Sequence, residues 1–264
     1  MVGGARATGA GIVTTGSARA AAMRVSIVIP VFNESENVLP LLEDLQRVAA
    51  DLAPAEVIFV DDGSADATAT VLAPRLGDAG PGGLAVRLIR HRRRSGQSAA
   101  VRTGVRAARA PWCATLDGDG QNDPADLPAL LALAERDPAG PALIGGVRTT
   151  RRDSLSKRLA SRLANGLRQA LLRDGAVDTG CGLKLVRRDV FLELPFFDAQ
   201  HRFLPALMRL GGHGVAFRPV GHRPRLKGTS KYVNWRRGLV GLLDLFGVLW
   251  LKARTSPPPA TEEM

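Results

Sequence analysis

The chain has 264 residues, enough for one large α/β domain or two small ones, and its 45% hydrophobic content is ordinary for a globular protein. Two cysteines are too few to suggest a disulfide framework. The four histidines show no zinc-binding spacing. Cys113 lies inside an apolar run, which predicts a buried structural thiol.

The net charge of +11 comes mostly from arginine and has three interpretations. A GC-rich genome would give such a composition. Attraction to anions is the second, whether a nucleotide diphosphate, a lipid phosphate or an anionic membrane surface. Nucleic acid is the third, and it is disfavoured because the basic residues are scattered, aromatic residues make up 5%, and no nucleic-acid motif appears.

The first 22 residues contain no apolar segment of the about 7–15 residues that a signal peptide needs. We expect either a disordered tail over residues 1–23 or a true start at Met23, with a transit-like leader as the alternative. The proline-containing residues 255–264 also read as a disordered tail.

From Val25 onward, strand-like runs alternate with helical ones, which predicts a mostly parallel sheet flanked by helices. A leucine at every fourth position from residue 155 to 171 predicts an amphipathic helix, whose basic flank faces either solvent or lipid headgroups. The predicted strands are 25–30, 56–60, 84–89, 112–116, 142–148, 183–186 and 215–220; the other predicted helices are 35–51, 65–76, 97–109, 127–136, 203–210 and 234–254.

Two acidic pairs follow predicted strands. Asp61 and Asp62 come after one, and Asp117 and Asp119 after another, so all four are expected at the carboxyl edge of the sheet, where ligands bind. Carboxylates suit Mg²⁺ or Mn²⁺ when a diphosphate supplies the remaining ligands. An EF-hand is excluded because the twelfth loop position is Pro128. A polar strand-to-helix turn is the alternative for the second pair.

The motifs carry a family resemblance. IPVFNE, VDDGS and DGDGQNDP, in that order, resemble the nucleotide-binding half of family-2 glycosyltransferases with the GT-A fold. GGVR, SKRLASRLAN, DTGCGLKL, HRFLPAL and HRPRLKGTSKY resemble the polyprenyl-phosphate sugar transferases, of the dolichyl-phosphate mannose synthase type. The resemblance runs from about Arg24 to Arg254. It implies an inverting, metal-dependent enzyme with a GT-A domain over residues 24–232 and an interfacial helix over 233–254.

The resemblance also implies roles at the nucleotide-sugar donor. Asp119 and Gln121 would hold Mg²⁺ or Mn²⁺, with Asp117 toward the ribose or a metal-bound water. Asp61 would recognise the base. The basic loop at 91–96 would lie near the diphosphate, unless it is simply solvated. Further donor contacts implied by the resemblance are Pro30, Phe32, Glu34 or Asp62 at the ribose side, and Arg225, Ser230 and Lys231 in a loop that closes over the diphosphate unless it is a basic surface turn.

The lack of a clear general base in the motifs indicates the class of acceptor. A hydroxyl acceptor needs a general base, and related hydroxyl-specific transferases carry a Glu-Asp pair where this chain has only Asp178. A lipid phosphate is already anionic and needs positive charge instead. The resemblance places Arg148, Lys157 and Ser161 at that phosphate, although some relatives carry Arg in place of Lys157.

Mannose from GDP-mannose is the first expectation for the donor, and glucose or an N-acetylhexosamine from a UDP-sugar is the second. Three alternatives remain: transfer to a saccharide hydroxyl in cell-envelope polysaccharide synthesis, a non-catalytic nucleotide-binding module at a membrane, and, least favoured, a dehydrogenase. The last lacks a glycine-rich turn after the first strand.

The C-terminal segment at 238–251 is nearly all apolar. As a helix it would span about 21 Å, short of the ~30 Å hydrocarbon core of a bilayer. Trp235, Trp250 and flanking basic residues suit a helix in the membrane interface; a helix packed on the domain is the alternative. We therefore expect a peripheral enzyme at the cytoplasmic face of a membrane, with or without a membrane protein partner.

Overall fold

A seven-stranded, mostly parallel sheet forms the centre of the fold. The computed structural model describes residues 22–77, 83–149, 166, 168–224 and 234–255, with the backbone alone described for 234–239. The strand order is β3-β2-β1-β4-β6-β5-β7, and β6 alone among these strands runs antiparallel to its neighbours. The strands are β1 (Val25–Val31), β2 (Ala55–Asp61), β3 (Leu84–Arg90), β4 (Trp112–Thr115), β5 (Leu143–Arg148), β6 (Lys184–Arg187) and β7 (Val215–Val220).

Helices cover both faces of the sheet. Because successive strand residues point to opposite faces, Ile27 and Ile29 pack into one buried layer and Val28 into the other. The predicted α/β class, with helices flanking a mostly parallel sheet, is confirmed. The helices are α1 (Val38–Arg47), α2 (Ala49–Leu52), α3 (Thr68–Leu72), α4 (Gln97–Ala107), α5 (Leu127–Arg136), α6 (Arg188–Glu193), α7 (Gln200–Leu210) and α8 (Asn234–Arg254).

The strand directions bring distant segments to one edge. The carboxyl ends of β1, β2 and β4 lie together because these strands are parallel, with Val31 paired to Asp61. The carboxyl ends of β5 and β7 reach the same edge, and the antiparallel β6 begins there with Lys184. The carboxyl ends of five strands and the start of β6 therefore share one edge of the sheet.

Four predicted helices differ from the structure: the one expected over 97–109 ends at Ala107, the one expected over 203–210 begins at Gln200, and two others differ more. The helix expected over 35–51 begins at Val38 and is interrupted at Val48. Its expected first turn is instead held by contacts from elsewhere, as when the Ser35 N–H donates to Asp66 Oδ2 at 3.2 Å. The helix expected over 65–76 is regular only in α3 and continues as a 3-10 turn containing Pro74, which lacks an N–H donor.

The C-terminal helix α8 has the predicted bounds. Leu245 and Val248 are buried against the layer that contains α7, so this face packs on the domain. No helix in the described part of the chain is long and apolar enough to cross a membrane. The leucine-spaced helix expected over 155–171 lies mostly outside the described residues. Large apolar side chains stay exposed on α8: Val240, Leu242, Leu243, Phe246 and Trp250.

Candidate active site

A cleft of about 640 Å³ opens at the shared strand edge. This volume falls within the range of about 300–1,000 Å³ typical of small-molecule sites. The wall combines acidic and basic residues with the segment 179–182, and Val240 of α8 borders it. The charged side chains that line it are Glu34, Asp62, Asp117, Asp119 and Asp198, with Arg94, Lys184 and Arg202 as cations.

The loop after β4 folds back on itself and presents two carboxylates to the cleft. The Asp117 N–H donates to Asn122 Oδ1 at 2.9 Å, and the Gln121 N–H donates to Asp119 Oδ1 at 3.2 Å. Asp123 then caps the turn before α5 by accepting from the Ala125 N–H at 3.0 Å. We call residues 117–123 the acidic loop.

The acidic loop has the electrostatics of a cation site. Burial raises the pKa of Asp117 to about 6, and the charge of Asp119 adds to the increase, whereas Lys184 and a 2.9 Å hydrogen bond from Gln97 Nε2 oppose it. A divalent cation would relieve the repulsion between the two carboxylates, so these residues fit one. Among the described residues no group of three His, Cys, Asp or Glu side chains is arranged for a metal, so a donor phosphate would have to complete the coordination.

Asp62 fastens the basic loop to the cleft wall. Its carboxylate accepts from the N–H groups of Ser95 and Gly96, both at 2.8 Å, and Oδ1 lies 2.8 Å from His91 Nδ1. Arg94 stacks over the Phe32 ring, with its guanidinium carbon 4.3 Å from the centroid. The segment at 91–96 is therefore held against the cleft, which Arg94, Ser95 and Gly96 line, although residues 92–95 are exposed to solvent.

Asp61 lies behind this wall. It is fully buried, its Oδ1 accepts from the Ser64 N–H at 2.8 Å, and its Oδ2 lies 3.1 Å from Arg90 Nε. Asp61 does not line the cleft in this arrangement, so its contact with the base stays a prediction.

Arg148 is bound to Asp178. Arg148 Nε and Nη2 donate to the two carboxylate oxygens at 2.7 and 2.8 Å, and both side chains are largely buried. Burial acts to lower the pKa of Arg148, but the hydrogen bonds that it donates to Asp178 and the charge of that carboxylate outweigh burial and raise that pKa. A Cβ on Gly180 would lie 3.0 Å from Arg148 Nη2, so the glycine leaves room for the pair behind the cleft wall.

The predicted site residues divide into three groups. Those at the cleft support the expectation of one shared site, and the roles of all of them stay predictions. Pro30, Phe32, Glu34, Asp62, Asp117 and Asp119 line the cleft; Asp61, Gln121 and Arg148 lie beside it without lining it; Lys157, Ser161, Arg225, Ser230 and Lys231 fall outside the described residues.

Comparison with known proteins identifies the family. The model for "Glycosyl transferase family 2" matches residues 26–194. The chain belongs to glycosyl transferase family 2. It is 35% identical over 243 residues to the dodecaprenyl-phosphate galacturonate synthase of Rhizobium johnstonii, covering 89% of this chain and 69% of that one. It is 33% identical to an undecaprenyl-phosphate 4-deoxy-4-formamido-L-arabinose transferase of Edwardsiella ictaluri, covering 88% and 69%. The resemblance seen in the sequence is thus confirmed.

Solved structures confirm the GT-A fold of this glycosyltransferase. The glucosyl-3-phosphoglycerate synthase of Mycobacterium tuberculosis, in complex with Mn²⁺, UDP-glucose and phosphoglyceric acid, superposes with a TM-score of 0.65 over 90% of this chain and 81% of that one. The sequence identity is 17%, so the likeness concerns the fold alone.

The structure adds cleft residues to this transferase that the motifs did not single out. Lys184 is buried at the cleft floor, and its Nζ donates to the Cys181 carbonyl. Burial lowers the pKa of Lys184, and the charge of Asp117 opposes that change. A lysine between two leucines in a predicted strand was the sequence signal for it. His201 opens the HRFLPAL motif at the start of α7, whereas Asp198 had no local signal, because only the fold brings it to the cleft.

Proposed function

We propose that the enzyme transfers a sugar from a nucleotide diphosphate donor to a polyprenyl phosphate. The observation that carries this proposal is the Arg148–Asp178 pair. Asp178 was the one candidate base in the sequence motifs, and its carboxylate accepts two hydrogen bonds from the Arg148 guanidinium instead of facing an acceptor hydroxyl. The names of the two relatives, both polyprenyl-phosphate transferases or synthases, support the same acceptor class.

We propose that Asp117 and Asp119, with Gln121 beside them, hold Mg²⁺ or Mn²⁺. The cation would supply positive charge to the diphosphate that leaves the sugar. Arg94 and Lys184 are cations of the described cleft that can add to this charge. Arg225, Ser230 and Lys231 are proposed, from the family resemblance, to close over the same diphosphate.

The names of the relatives widen the choice of donor sugar. GDP-mannose was the first expectation, but the relatives are named for galacturonate and for 4-deoxy-4-formamido-L-arabinose. UDP-linked uronates and pentoses therefore belong beside GDP-mannose, UDP-glucose and UDP-N-acetylhexosamines in a donor panel.

We also propose that the exposed side of α8 rests on the membrane that carries the acceptor. Leu243, Phe246 and Trp250 are 71%, 65% and 63% exposed, and large exposed apolar patches mark interaction sites. Val240, on the same helix, borders the cleft, so a lipid phosphate entering beside it would keep its chain along this surface. We propose, as the family resemblance implies, that this association is peripheral and at the cytoplasmic face.

The competing function is transfer to a hydroxyl with Asp198 as base, because Asp198 is an exposed cleft carboxylate. The test offers polyprenyl phosphate and the matching polyprenol side by side to the wild type and to Asp198→Asn. We expect the phosphate alone to be used and Asp198→Asn to retain turnover. Use of the alcohol, together with loss of activity in the variant, would favour the hydroxyl reaction instead.

A further inference from the structure

Arg223 joins the acidic loop to two other parts of the fold. Its Nε and Nη2 donate to the two carboxylate oxygens of Asp123 at 3.1 and 2.7 Å, and its Nη1 donates to Asp44 Oδ2 of α1 at 2.6 Å. All three guanidinium nitrogens are thus used, and two of the contacts form a bidentate fork.

The main chain makes the same connection. The Arg223 N–H donates to the Gln121 carbonyl at 2.9 Å, and Asn122 forms an antiparallel bridge with His222. The Gly221 N–H donates to Asp126 Oδ2 at 2.8 Å, just past the loop. The three residues after β7 therefore run along the acidic loop like a short added strand.

These contacts reach both sides of the cation-binding positions. Gln121 is held through its N–H by Asp119 and through its carbonyl by Arg223. Asn122, which orients the Asp117 main chain, is held by the bridge to His222. Loss of the Arg223 contacts would free residues 121–123, which set the separation of the Asp117 and Asp119 carboxylates.

We propose that Arg223 is a positioning residue that fixes the acidic loop in its cation-binding conformation. This inference rests on the proposed metal-dependent function. The guanidinium does not line the cleft, so it acts through Asp123 and Asp44, which hold the Arg223 main chain against the Gln121 carbonyl. Half-exposed ion pairs add little to stability. Loss of Arg223 should therefore weaken cation binding far more than folding.

The chain offers a matched control in Arg24. It makes the same bidentate contact with Glu135, at 2.9 and 2.7 Å, and the side chains are 36% and 38% exposed, against 37% and 25% for Arg223 and Asp123. Arg24 precedes β1, at the opposite edge of the sheet. Arg24→Ala thus removes a similar ion pair without touching the acidic loop.

The experiment titrates Mn²⁺ into full-length wild type, Arg223→Ala, Arg223→Lys and Arg24→Ala, and follows free Mn²⁺ by electron paramagnetic resonance with UDP or GDP present. We expect Arg223→Ala to bind Mn²⁺ roughly tenfold more weakly, because losing a residue that holds metal-binding residues in place typically costs about 10–100-fold in affinity. Arg223→Lys should lie between, since it keeps the charge and loses the fork. Arg24→Ala should match the wild type.

Two results would overturn the proposal, and they differ. Equal Mn²⁺ affinity in Arg223→Ala and Arg24→Ala would show that Arg223 is an ordinary surface ion pair while leaving the metal role intact. No Mn²⁺ binding by the wild type with either nucleotide would remove the proposed metal role itself. Should Arg223→Ala not fold, Arg223→Lys decides the question in the same titration, and wild-type affinity in it would count against positioning by the fork.

Discussion

Arg148 and Asp178 hold each other through two parallel hydrogen bonds, and the Asp178 carboxylate also lies 3.3 Å from the Arg148 backbone N–H as an acceptor. The pair joins the residue predicted to bind the acceptor phosphate to the residue that was the candidate base. The resemblance implied that Arg148 binds the acceptor phosphate, and the sequence left Asp178 as the candidate base. In the structure each fixes the orientation of the other, which leaves the third guanidinium nitrogen as the one that Asp178 does not engage.

Removing Arg148 should affect the acceptor more than the donor. Arg148→Ala leaves a buried carboxylate without its partner, which costs about 3–5 kcal/mol of stability. The Arg148→Ala/Asp178→Ala double variant should recover stability without recovering acceptor use. The measurement is the KM for polyprenyl phosphate against the Kd for nucleotide in both variants. Equal weakening of both ligands would place Arg148 at the donor.

The ionisation of Asp117 should lower the stability of the metal-free protein. Its pKa of about 6 lies above the ordinary 3.8, so the folded state prefers the protonated acid. The stabilisation of the folded state by the protonated Asp117 is complete below about pH 4, and it is lost as the pH rises through 6. The loss is worth roughly 1–3 kcal/mol, allowing for partial contact with water in the cleft.

Asp117→Asn should therefore be more stable than the wild type at pH 8 and similar to it at pH 4, in chelator. Urea unfolding of both proteins across this pH range measures the effect. Parallel curves for the two proteins would mean that Asp117 titrates normally.

A methyl group at Gly182 should disturb the acidic loop directly. A Cβ there would lie 2.7 Å from Asn122 Oδ1 and closer still to the Asp117 carboxylate, so both side chains would have to shift. Gly182→Ala should reduce Mn²⁺ affinity and turnover by about tenfold or more.

Gly247→Ala is the control, because a Cβ at that exposed helical position meets nothing within 4 Å. It should stabilise α8 slightly and leave Mn²⁺ binding unchanged. Wild-type Mn²⁺ affinity in Gly182→Ala would show that the acidic loop tolerates displacement at this point.

The exposed side of α8 should carry membrane binding. Truncation before α8 would also remove the buried Leu245 and Val248. A loss of liposome binding could then result from unfolding. Replacing Leu243, Phe246 and Trp250 with Ser changes exposed positions alone. The triple variant should remain folded, lose most co-sedimentation with anionic liposomes, and keep its affinity for nucleotide. Unchanged sedimentation would assign membrane contact to another part of the protein.

The sequence predicted the site best where local patterns and strand direction suffice. The acidic residues that follow β1, β2 and β4 share one edge of the sheet because these strands are parallel. The different surroundings of Asp61 and Asp62 could not be predicted, because neighbouring residues at a strand end face opposite ways and only the fold shows which one meets the cleft. The start of α1 and the arrival of Asp198 depend on contacts with distant segments, which no local pattern encodes.

The most direct test of the proposed function is product analysis with a panel of nucleotide sugars and polyprenyl phosphate. We expect one donor to yield a polyprenyl phosphate sugar, seen by mass spectrometry, with one nucleoside diphosphate released per product. EDTA should abolish this product, and Asp119→Ala should slow its formation by roughly 10²-fold or more. Transfer to a hydroxyl, or full activity in EDTA, would contradict the account.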